Sequence, residues 1–248
     1  MGGSAYTMEY LGYLVLPMLL AAVAGYLLGS INWSIILTRL FKHKEDIRKY
    51  GSGNAGMTNV LRTVGKVPAI LTFVGDFVKC VAAVLLAYLI MYLAFFLLGL
   101  PVSYELVKAG QYIAGMACVM GHIFPVYYGF RGGKGVVASA AMIALLDWRA
   151  FLLVIGTFLL VFLWKRIVSL ASVVCAVAYP VYTFLLVYFF DFSGSPLQGN
   201  AGRSLWYLLF VTAASLFIGG TVLIKHRSNI GRLRRGEEKP VVFGKKSS

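Results

Sequence analysis

Residues 205–224 have the sequence LWYLLFVTAASLFIGGTVLI, a run of 20 residues without Asp, Glu, Lys, Arg or His. A transmembrane helix needs about 20 mostly apolar residues, so this run is long enough to cross a bilayer. The whole 248-residue chain has the same character, with 60% apolar residues, only 13% charged residues and a mean hydropathy of +0.81. Soluble domains carry about 25% charged residues. The composition therefore excludes a soluble enzyme, a disordered chain and a disulfide scaffold, and predicts a polytopic membrane protein.

Seven apolar segments are candidates for membrane-spanning helices. They are residues 13–38, 80–100, 109–128, 136–147, 150–164, 169–190 and 205–224. The fourth and fifth are short, with a turn at Asp147, and could instead form one kinked segment. The predicted fold is an all-α bundle of seven transmembrane helices in a single integral membrane domain, residues 1–248. In the first segment, Gly25 and Gly29 predict a close helix–helix contact.

The basic residues are distributed very unevenly across this arrangement. With the N-terminus outside, 20 of the 23 Lys and Arg residues lie on the inside, and only Lys108, Arg149 and Arg203 lie outside. Cytoplasmic loops carry an excess of Lys and Arg, so the bias predicts an outer N-terminus and a cytoplasmic C-terminus. Segmentations with five or six spans separate the charges less cleanly. The same loops explain the net charge of +14 without nucleic acid, since no basic stretch has a soluble domain around it.

The longest inside loop, near residues 41–79, is rich in glycine and in hydrogen-bond donors. Its stretch 51–62, GSGNAGMTNVLR, ends on Arg62, whose guanidinium fork suits phosphate. Glycines permit positive φ angles, so successive N–H groups can point at one anion. A flexible loop with turn residues is the plainer alternative. The favoured hypothesis is anion binding by Gly51, Ser52, Gly53, Asn54, Thr58, Asn59 and Arg62.

The glycine spacing in this loop also matches a dinucleotide fingerprint, G-x-G-x-x-G. The residues before it are charged rather than a buried strand, and about forty residues between two membrane helices cannot build a doubly wound sheet. A dinucleotide site is therefore excluded.

A second inside loop, near residues 129–136, contains FRGGKG at 130–135. Three glycines around Lys134 let backbone and ammonium approach one phosphate together. The spacing is not that of a Walker A loop, and Gly135 stands where Ser or Thr would bind magnesium. The predicted binding residues here are His122, Gly132, Gly133, Lys134 and Gly135, although a lone His such as His122 is more often structural.

Two shorter inside segments, near 165–169 and 225–236, add polar side chains. Ser169 and Ser172 share one helix face, where either substrate contact or helix packing explains them. His226 and Asn229 have the same spacing at a helix end. The basic residues after them are suited to anionic lipid headgroups.

Charged and sulfur-containing residues within the apolar stretches have structural interpretations. Asp76 and Lys79 are three residues apart at the start of an apolar run, which predicts an ion pair. Cys80, Cys118 and Cys175 lack metal-ligand spacing and are predicted to be small buried hydrophobes. No metal or cofactor is predicted.

Several of these motifs together resemble the bacterial acyl-phosphate:glycerol-3-phosphate acyltransferases. The matching elements follow the family's order: GSGN at 51–54 with Arg62, GH at 121–122, GGKG at 132–135, and His226 with Asn229. The chain departs from the family's common pattern at Asn32, Ala55 and Cys80, where Pro, Pro and Gly are usual. Each of these is a helix or loop detail that leaves the polar motif residues in place.

The resemblance implies transfer of a long-chain acyl group from acyl-phosphate to the 1-hydroxyl of sn-glycerol 3-phosphate. The products are lysophosphatidate and phosphate, and the location implied is the bacterial inner membrane with the active site facing the cytoplasm. Partners are the lipid bilayer and, functionally, the enzyme that makes acyl-phosphate. Glycerolipid acyltransferases of the other major class carry a His-x4-Asp pair, and none of the three His residues here has Asp five places on.

The resemblance also assigns roles to residues. Phosphate would be bound by Ser52, Arg62 and Lys134. The glycerol phosphate pocket would be completed by His226 and Asn229. The acyl-phosphate would be held by backbone N–H groups of 51–56 and 132–135. The hydroxyl proton passes either to the donor's own phosphate or to His226. Two competing classes are a transporter for an anionic phosphorylated solute, which residues 84–100 and 205–224 disfavour because they lack charged groups, and a non-catalytic scaffold.

Overall fold

Helices form every regular element in the part of the chain that the structure describes. The structure, a computed structural model, describes residues 3–193 and 202–240. Its α-helices there are α1 (Gly3–Ser30), α2 (Trp33–Phe41), α3 (Met57–Thr63), α4 (Lys66–Leu97), α5 (Tyr104–Ile123), α6 (Val136–Leu146), α7 (Trp148–Lys165), α8 (Val168–Leu186), α9 (Leu205–Lys225) and α10 (Arg227–Arg234). A π-helical segment, Val187–Phe192, extends α8. The all-α prediction is confirmed for the described residues; the rest of the predicted domain 1–248 lies outside them.

Five segments of the described chain are long and apolar enough to cross a membrane. They are Gly12–Phe41, Lys66–Leu97, Trp148–Lys165, Val168–Phe192 and Leu205–Lys225. All seven predicted segments overlap a helix, but α5 and α6 are not among these five. α6 has 11 residues, about 16 Å of helix. α5 contains the polar residues Glu105, Lys108 and Gln111. Most residues of α5 are buried among other helices, so few of its side chains are exposed to lipid.

The helix that contains the predicted Asp76–Lys79 ion pair begins earlier than the sequence indicates. α4 starts at Lys66 rather than at residue 80, so both charged residues lie inside it. Lys79 Nζ is 2.7 Å from Asp76 Oδ1, and the two side chains are only 3% and 2% exposed. Pairing offsets the cost of placing each charge in an apolar helix, which confirms the ion pair and explains the longer helix.

The first predicted segment is a broken helix. α1 ends at Ser30 and α2 begins at Trp33, and Asn32 Oδ1 caps α2 by accepting the N–H of Ile35 at 3.2 Å. The ammonium of Lys79 donates to the carbonyl oxygen of Ile31 at 2.6 Å. This hydrogen bond attaches the short segment between α1 and α2 to α4.

Close packing of α1 on α5 depends on two glycines, as predicted. A Cβ on Gly25 would collide with the backbone of Ala114, and one on Gly29 with the backbone of Cys118. The third predicted segment differs in its bounds, since α5 begins at Tyr104 and ends at Ile123 instead of spanning 109–128.

The end of the bundle where α5 begins holds the three basic residues predicted to lie outside. Lys108 Nζ donates to the carbonyl of Leu146, Arg149 pairs with Asp191 at 2.8 Å, and the N–H of Arg203 donates to the carbonyl of Asp191. Because His122 lies in the last turn of α5, these groups are a full helix length from the glycine-rich loops.

Candidate active site

The first glycine-rich loop is closed around the side chain of Asn59. Asn59 is 3% exposed, and its amide donates to the carbonyls of Tyr50 (2.9 Å) and Asn54 (3.1 Å). Its Oδ1 accepts the N–H of Ser52 at 3.1 Å. Gly51 is required here, because its φ is +57° and a Cβ would collide with Asn59. The Asn59 side chain thus organises the loop rather than facing a ligand.

The other predicted residues of this loop differ in exposure. Ser52, Gly53 and Arg62 are exposed, whereas Asn54 and Thr58 are half-buried. The hydroxyl of Ser52 and the guanidinium of Arg62 are therefore accessible to a ligand arriving from solvent.

The second glycine-rich loop folds back onto the C-terminus of α5 and contacts the first loop. The N–H groups of Gly132 and Gly133 donate to the carbonyls of Ile123 and His122, both at 3.1 Å. A Cβ on Gly133 would lie 2.6 Å from the carbonyl oxygen of Ala55, in the first loop. Gly135, with φ +83°, immediately precedes α6. The two loops are thus packed against each other, backbone to backbone.

Half of the ten backbone donors predicted to hold an anion, in 51–56 and 132–135, are bonded within the protein. The N–H groups of Ser52, Gly53, Gly56, Gly132 and Gly133 all donate to protein oxygens. The glycines allow sharp turns and the close approach of the two loops. Fewer backbone N–H groups are therefore available to an anion than the sequence indicates.

Arg48, which the sequence did not single out, joins the two loops. Its Nη1 donates to the carbonyls of Tyr128 (2.7 Å) and Arg131 (3.1 Å). Asp46 fixes the guanidinium through a 2.8 Å ion pair. Burial raises the pKa of Asp46, but its bonds to Arg48 outweigh this and hold the pKa below the usual value. The Asp46–Arg48 pair therefore holds the two glycine-rich loops together.

His122 lies beneath the second loop and not in the open site. It is 4% exposed, and its Nδ1 is 3.1 Å from Lys79 Nζ and 3.4 Å from Asp76 Oδ1. Its other ring nitrogen faces Gly133, since a Cβ there would collide with it. His122 therefore supports the loop from below, together with the ion pair.

Lys134, Asn229 and Ser169 converge at the centre of the site, and with Arg232 they define the anion cluster. Lys134 Nζ donates to Asn229 Oδ1 at 2.5 Å. Asn229 Nδ2 and Ser169 Oγ donate to one oxygen of Glu238, at 2.6 and 2.7 Å. Arg232 Nε donates to its other oxygen at 2.6 Å. Predicted residues from three separate segments thus meet at one point.

Burial lowers the pKa of Lys134 to about 8. Glu238 raises this pKa, while the nearby cations Arg232 and Arg62 lower it further. The site is therefore strongly positive, and an anion would be stabilised by several cations at once.

Ser169 and Ser172 face different surroundings. Ser172 Oγ donates to the carbonyl of Val168 in its own helix, at 2.9 Å. Its side chain lines an apolar cavity between α6, α7 and α8, whose lining includes Val136, Ser139, Phe151, Cys175 and Val222. Ser169 thus contributes to the anion cluster and Ser172 to the cavity directly beneath it.

His226, between α9 and α10, is buried beside the anion cluster. Its Nδ1 is 2.8 Å from the carbonyl oxygen of Val222, so Nδ1 carries a proton and Nε2 is the acceptor. Burial lowers the pKa of His226 to about 4. The imidazole is neutral at physiological pH and a weak base.

A family model for glycerol-3-phosphate acyltransferase matches residues 19–236, which include both glycine-rich loops, His226 and Asn229. The chain belongs to the glycerol-3-phosphate acyltransferase family. The resemblance in the motifs is thereby confirmed, and the protein is an enzyme of the acyltransferase class.

Members of the glycerol-3-phosphate acyltransferase family match over nearly their full lengths. The enzyme of Pelodictyon phaeoclathratiforme is 35% identical over 94% of this chain and 100% of its own. That of Synechococcus sp. strain CC9902 is 39% identical over 91% and 96%. Crystal structures of PlsY (YgiH), an integral membrane glycerol 3-phosphate acyltransferase, are similar in the glycerol 3-phosphate and lysophosphatidic acid forms. Both are 30% identical to this chain, with TM-scores of 0.66 and 0.64, and the first covers 91% of this chain and 96% of PlsY.

Membership in this acyltransferase family favours the enzyme over the transporter and scaffold alternatives. Among the described residues, no group of three His, Cys, Asp or Glu side chains could hold a metal ion. The motif residues belong to the two packed loops and the cluster around Lys134, which together form the candidate active site.

Proposed function

We propose that the enzyme transfers a long-chain acyl group from acyl-phosphate to the 1-hydroxyl of sn-glycerol 3-phosphate, giving lysophosphatidate and phosphate. The anion cluster lies directly above the apolar cavity, and this arrangement is the main support for the proposal. Val136 follows the Lys134 loop, Ser172 lies one turn beyond Ser169, and Val222 lies one turn before His226. A phosphate and an acyl chain can therefore be held side by side.

Lys134, Asn229, Ser169 and Arg62 are assigned to the phosphate of glycerol 3-phosphate. A phosphate dianion accepts several hydrogen bonds, and charged donors in a partly buried site bind it most strongly. Arg62 lies near enough to lower the pKa of Lys134. Asn59 and His122 are assigned to positioning the loops, since both are buried and bonded within the protein.

The reaction needs no covalent enzyme intermediate. The C1 hydroxyl oxygen attacks the acyl carbonyl carbon, an ester bond forms, and the bond between that carbon and the phosphate oxygen breaks. The leaving phosphate takes the hydroxyl proton. His226, with a pKa of about 4 and its Nδ1 proton directed at Val222, orients the hydroxyl through Nε2 and is too weak a base to be the main proton acceptor.

The proposed orientation in the membrane rests on a difference in charge between the two ends of the bundle. The end with Arg149 and Asp191 holds few basic residues, whereas the glycine-rich loops and α10 hold most of them. By the positive-inside rule, this distribution supports an active site that faces the cytoplasm of the bacterial cell, with α5 and the short α6 completing seven spans.

Donor specificity tests the proposed function. Purified protein receives glycerol 3-phosphate with either palmitoyl-phosphate or palmitoyl-CoA, and both lysophosphatidate and phosphate are measured. The two products are expected to appear in equal amounts and with the acyl-phosphate only. Activity with palmitoyl-CoA alone would overturn the donor assignment, and absence of both products would overturn the reaction.

Replacing His226 with Ala is expected to raise KM for glycerol 3-phosphate by about tenfold, with a smaller change in kcat. This follows if His226 orients the hydroxyl during binding. Steady-state kinetics over a range of acceptor concentrations separates the two parameters. A fall in kcat of about 10²- to 10⁴-fold at unchanged KM would instead make His226 the general base.

The affinity for glycerol 3-phosphate is expected to fall as the pH rises above about 8. Lys134 has a pKa of about 8, so its positive charge is present below this pH and lost above it. Bound phosphate raises that pKa in the complex, so the fall appears in KM before it appears in kcat. Lys134→Arg keeps its charge to high pH. Its affinity for glycerol 3-phosphate is therefore expected not to fall above about pH 8, although its activity is lower. The same loss of affinity with rising pH in this variant would show that a group other than Lys134 titrates.

A further inference from the structure

A second cavity lies between α4 and α5 at the end of the bundle where α5 begins, a full helix length from the glycine-rich loops. Its volume is about 520 Å³, within the range of about 300–1,000 Å³ that is usual for ligand sites. The lining includes Leu85, Tyr88, Tyr92, Tyr104, Lys108 and Gln111. The proposed acyl transfer uses none of these residues. This site is called the α4–α5 cavity below.

Gln111 brings an unpaired amide to the α4–α5 cavity. The residue is only 7% exposed, yet within the described part of the chain its side-chain amide has no hydrogen-bond partner. Buried polar groups in native proteins are normally bonded, either within the protein or to a bound molecule, because an unpaired one is costly. The amide offers two donors and one acceptor. It therefore indicates a ligand with polar atoms at this depth.

Tyr104 holds two cations at the rim of the cavity. The centroid of its ring is 5.8 Å from Lys108 Nζ and 4.0 Å from Arg203 Cζ. Lys108 Nζ donates to one backbone carbonyl, which leaves two of its three N–H groups for another acceptor. Neither cation forms a salt bridge with a described residue, whereas Arg149, the third basic residue of this end, binds two carboxylates. Two cations without carboxylate partners favour an anionic ligand.

The lining of the cavity changes from charged to apolar along the bundle. α4 and α5 are packed together and joined by a short loop, so they run antiparallel. Gln111 lies about 4.5 Å farther into the bundle than Lys108, and Leu85 lies about 10 Å farther in than Tyr92. Tyr88 and Tyr92 are exposed, with ring centroids 4.4 Å apart. Exposed tyrosines of this kind are typical of the headgroup level of a membrane.

We infer that the α4–α5 cavity binds one anionic glycerophospholipid from the leaflet that meets this end of the bundle. Such a lipid has its groups in the same order as the lining: a phosphate, then ester carbonyls, then acyl chains. The phosphate lies beside Lys108 and Arg203, an ester carbonyl accepts a hydrogen bond from the Gln111 amide, and the chains follow the exposed surface at Leu85. The site is separate from the anion cluster and does not depend on the proposed reaction.

The test measures lipid binding to the full-length protein in detergent by native mass spectrometry. Phosphatidylglycerol and phosphatidylcholine with identical chains are titrated, and the dissociation constants of the first bound lipid are compared. The unaltered protein is expected to prefer phosphatidylglycerol by at least about fivefold. Lys108→Met and Arg203→Gln are each expected to weaken phosphatidylglycerol binding about fivefold, the contribution of one cation at an anionic lipid surface, with a smaller effect on phosphatidylcholine.

Gln111→Leu separates a role in lipid binding from a role in folding. The substitution keeps the size of the side chain and breaks no hydrogen bond to a described residue, so the lipid-free variant is expected to be as thermally stable as the unaltered protein. Both lipids have ester carbonyls, so both are expected to bind about three- to tenfold more weakly. A lower thermal stability without lipid, or unchanged binding of both lipids, would contradict the assigned contact.

Lys165→Met is the matched control, because it removes one positive charge at the opposite end of the bundle. It is expected to keep the preference for phosphatidylglycerol. An equal loss in this variant would reduce the effect to overall charge, and an unchanged preference in Lys108→Met and Arg203→Gln would place the lipid elsewhere. Displacement of phosphatidylglycerol by inorganic phosphate would assign the two cations to a soluble anion instead. Each of these three results would overturn the lipid site.

Discussion

Replacing Lys134 with Ala is expected to lower kcat/KM for glycerol 3-phosphate by about 10²- to 10³-fold, the loss typical of removing one preorganised donor from an active site. Lys134 is half-buried, donates to Asn229 and lies among other cations. Its removal takes a charged donor from the phosphate and leaves Asn229 Oδ1 without its partner. Steady-state kinetics of the purified variant, with its elution profile and thermal stability compared with those of the unaltered protein, would measure the effect.

Lys165→Ala provides the matched control for Lys134→Ala. Lys165 ends α7 on the same side of the bundle, is exposed, and lies over the ring of Trp164 at 4.1 Å. Its loss removes one positive charge without touching the anion cluster, and activity is expected to stay within about twofold, as for surface substitutions elsewhere. Similar rates for the two variants would contradict the central role of Lys134.

Replacing Gly133 with Ala is expected to lower activity by at least about 10²-fold while the helices stay folded. A Cβ at Gly133 would collide with the ring of His122 and the carbonyl of Ala55. Neither neighbour can yield alone, because Ala55 belongs to the first loop's backbone and His122 is held by Lys79 and Asp76. The loops must separate, and a displacement of about 1 Å in a catalytic arrangement costs about this much.

Gly231→Ala serves as the control for Gly133→Ala. Gly231 lies in α10 close to the anion cluster, and the nearest atom to its added Cβ is Arg235 Nη1 at 3.5 Å, an ordinary contact. Ala also favours a helix over Gly. Activity near that of the unaltered protein is expected. Near-normal activity in Gly133→Ala would show that the contact between the loops is not needed for catalysis.

The apolar segments predicted the helices because composition over about 20 residues is a strong signal. The start of α4 was missed because Asp76 and Lys79 interrupt the apolar run, and only their 2.7 Å contact makes them compatible with it. The short α6 and the polar α5 show a second limit. How much of a helix faces other helices, rather than lipid, is decided by packing between segments distant in sequence.

The sequence predicted which polar side chains lie together in the candidate site better than it predicted their surroundings. Lys134, Asn229 and Ser169 come together as the motifs indicate. Asn59 and His122 have the residue types of ligand contacts, yet three-dimensional partners engage them within the protein.

Arg48 and Glu238 carried no local signal at all. The Arg48 carbonyl partners lie 80 and 83 residues away, and Glu238 is one acidic residue in a basic tail. Spacing along one helix or loop can reveal which side chains share a face. It cannot reveal contacts that arise only when distant segments meet.

A structure of the protein with glycerol 3-phosphate bound would show directly which side chains hold the phosphate. The phosphate is expected within hydrogen-bond distance of Lys134, Asn229 and Ser169, with the C1 hydroxyl near His226 Nε2. A phosphate bound away from Lys134, Asn229 and Ser169 would contradict this assignment.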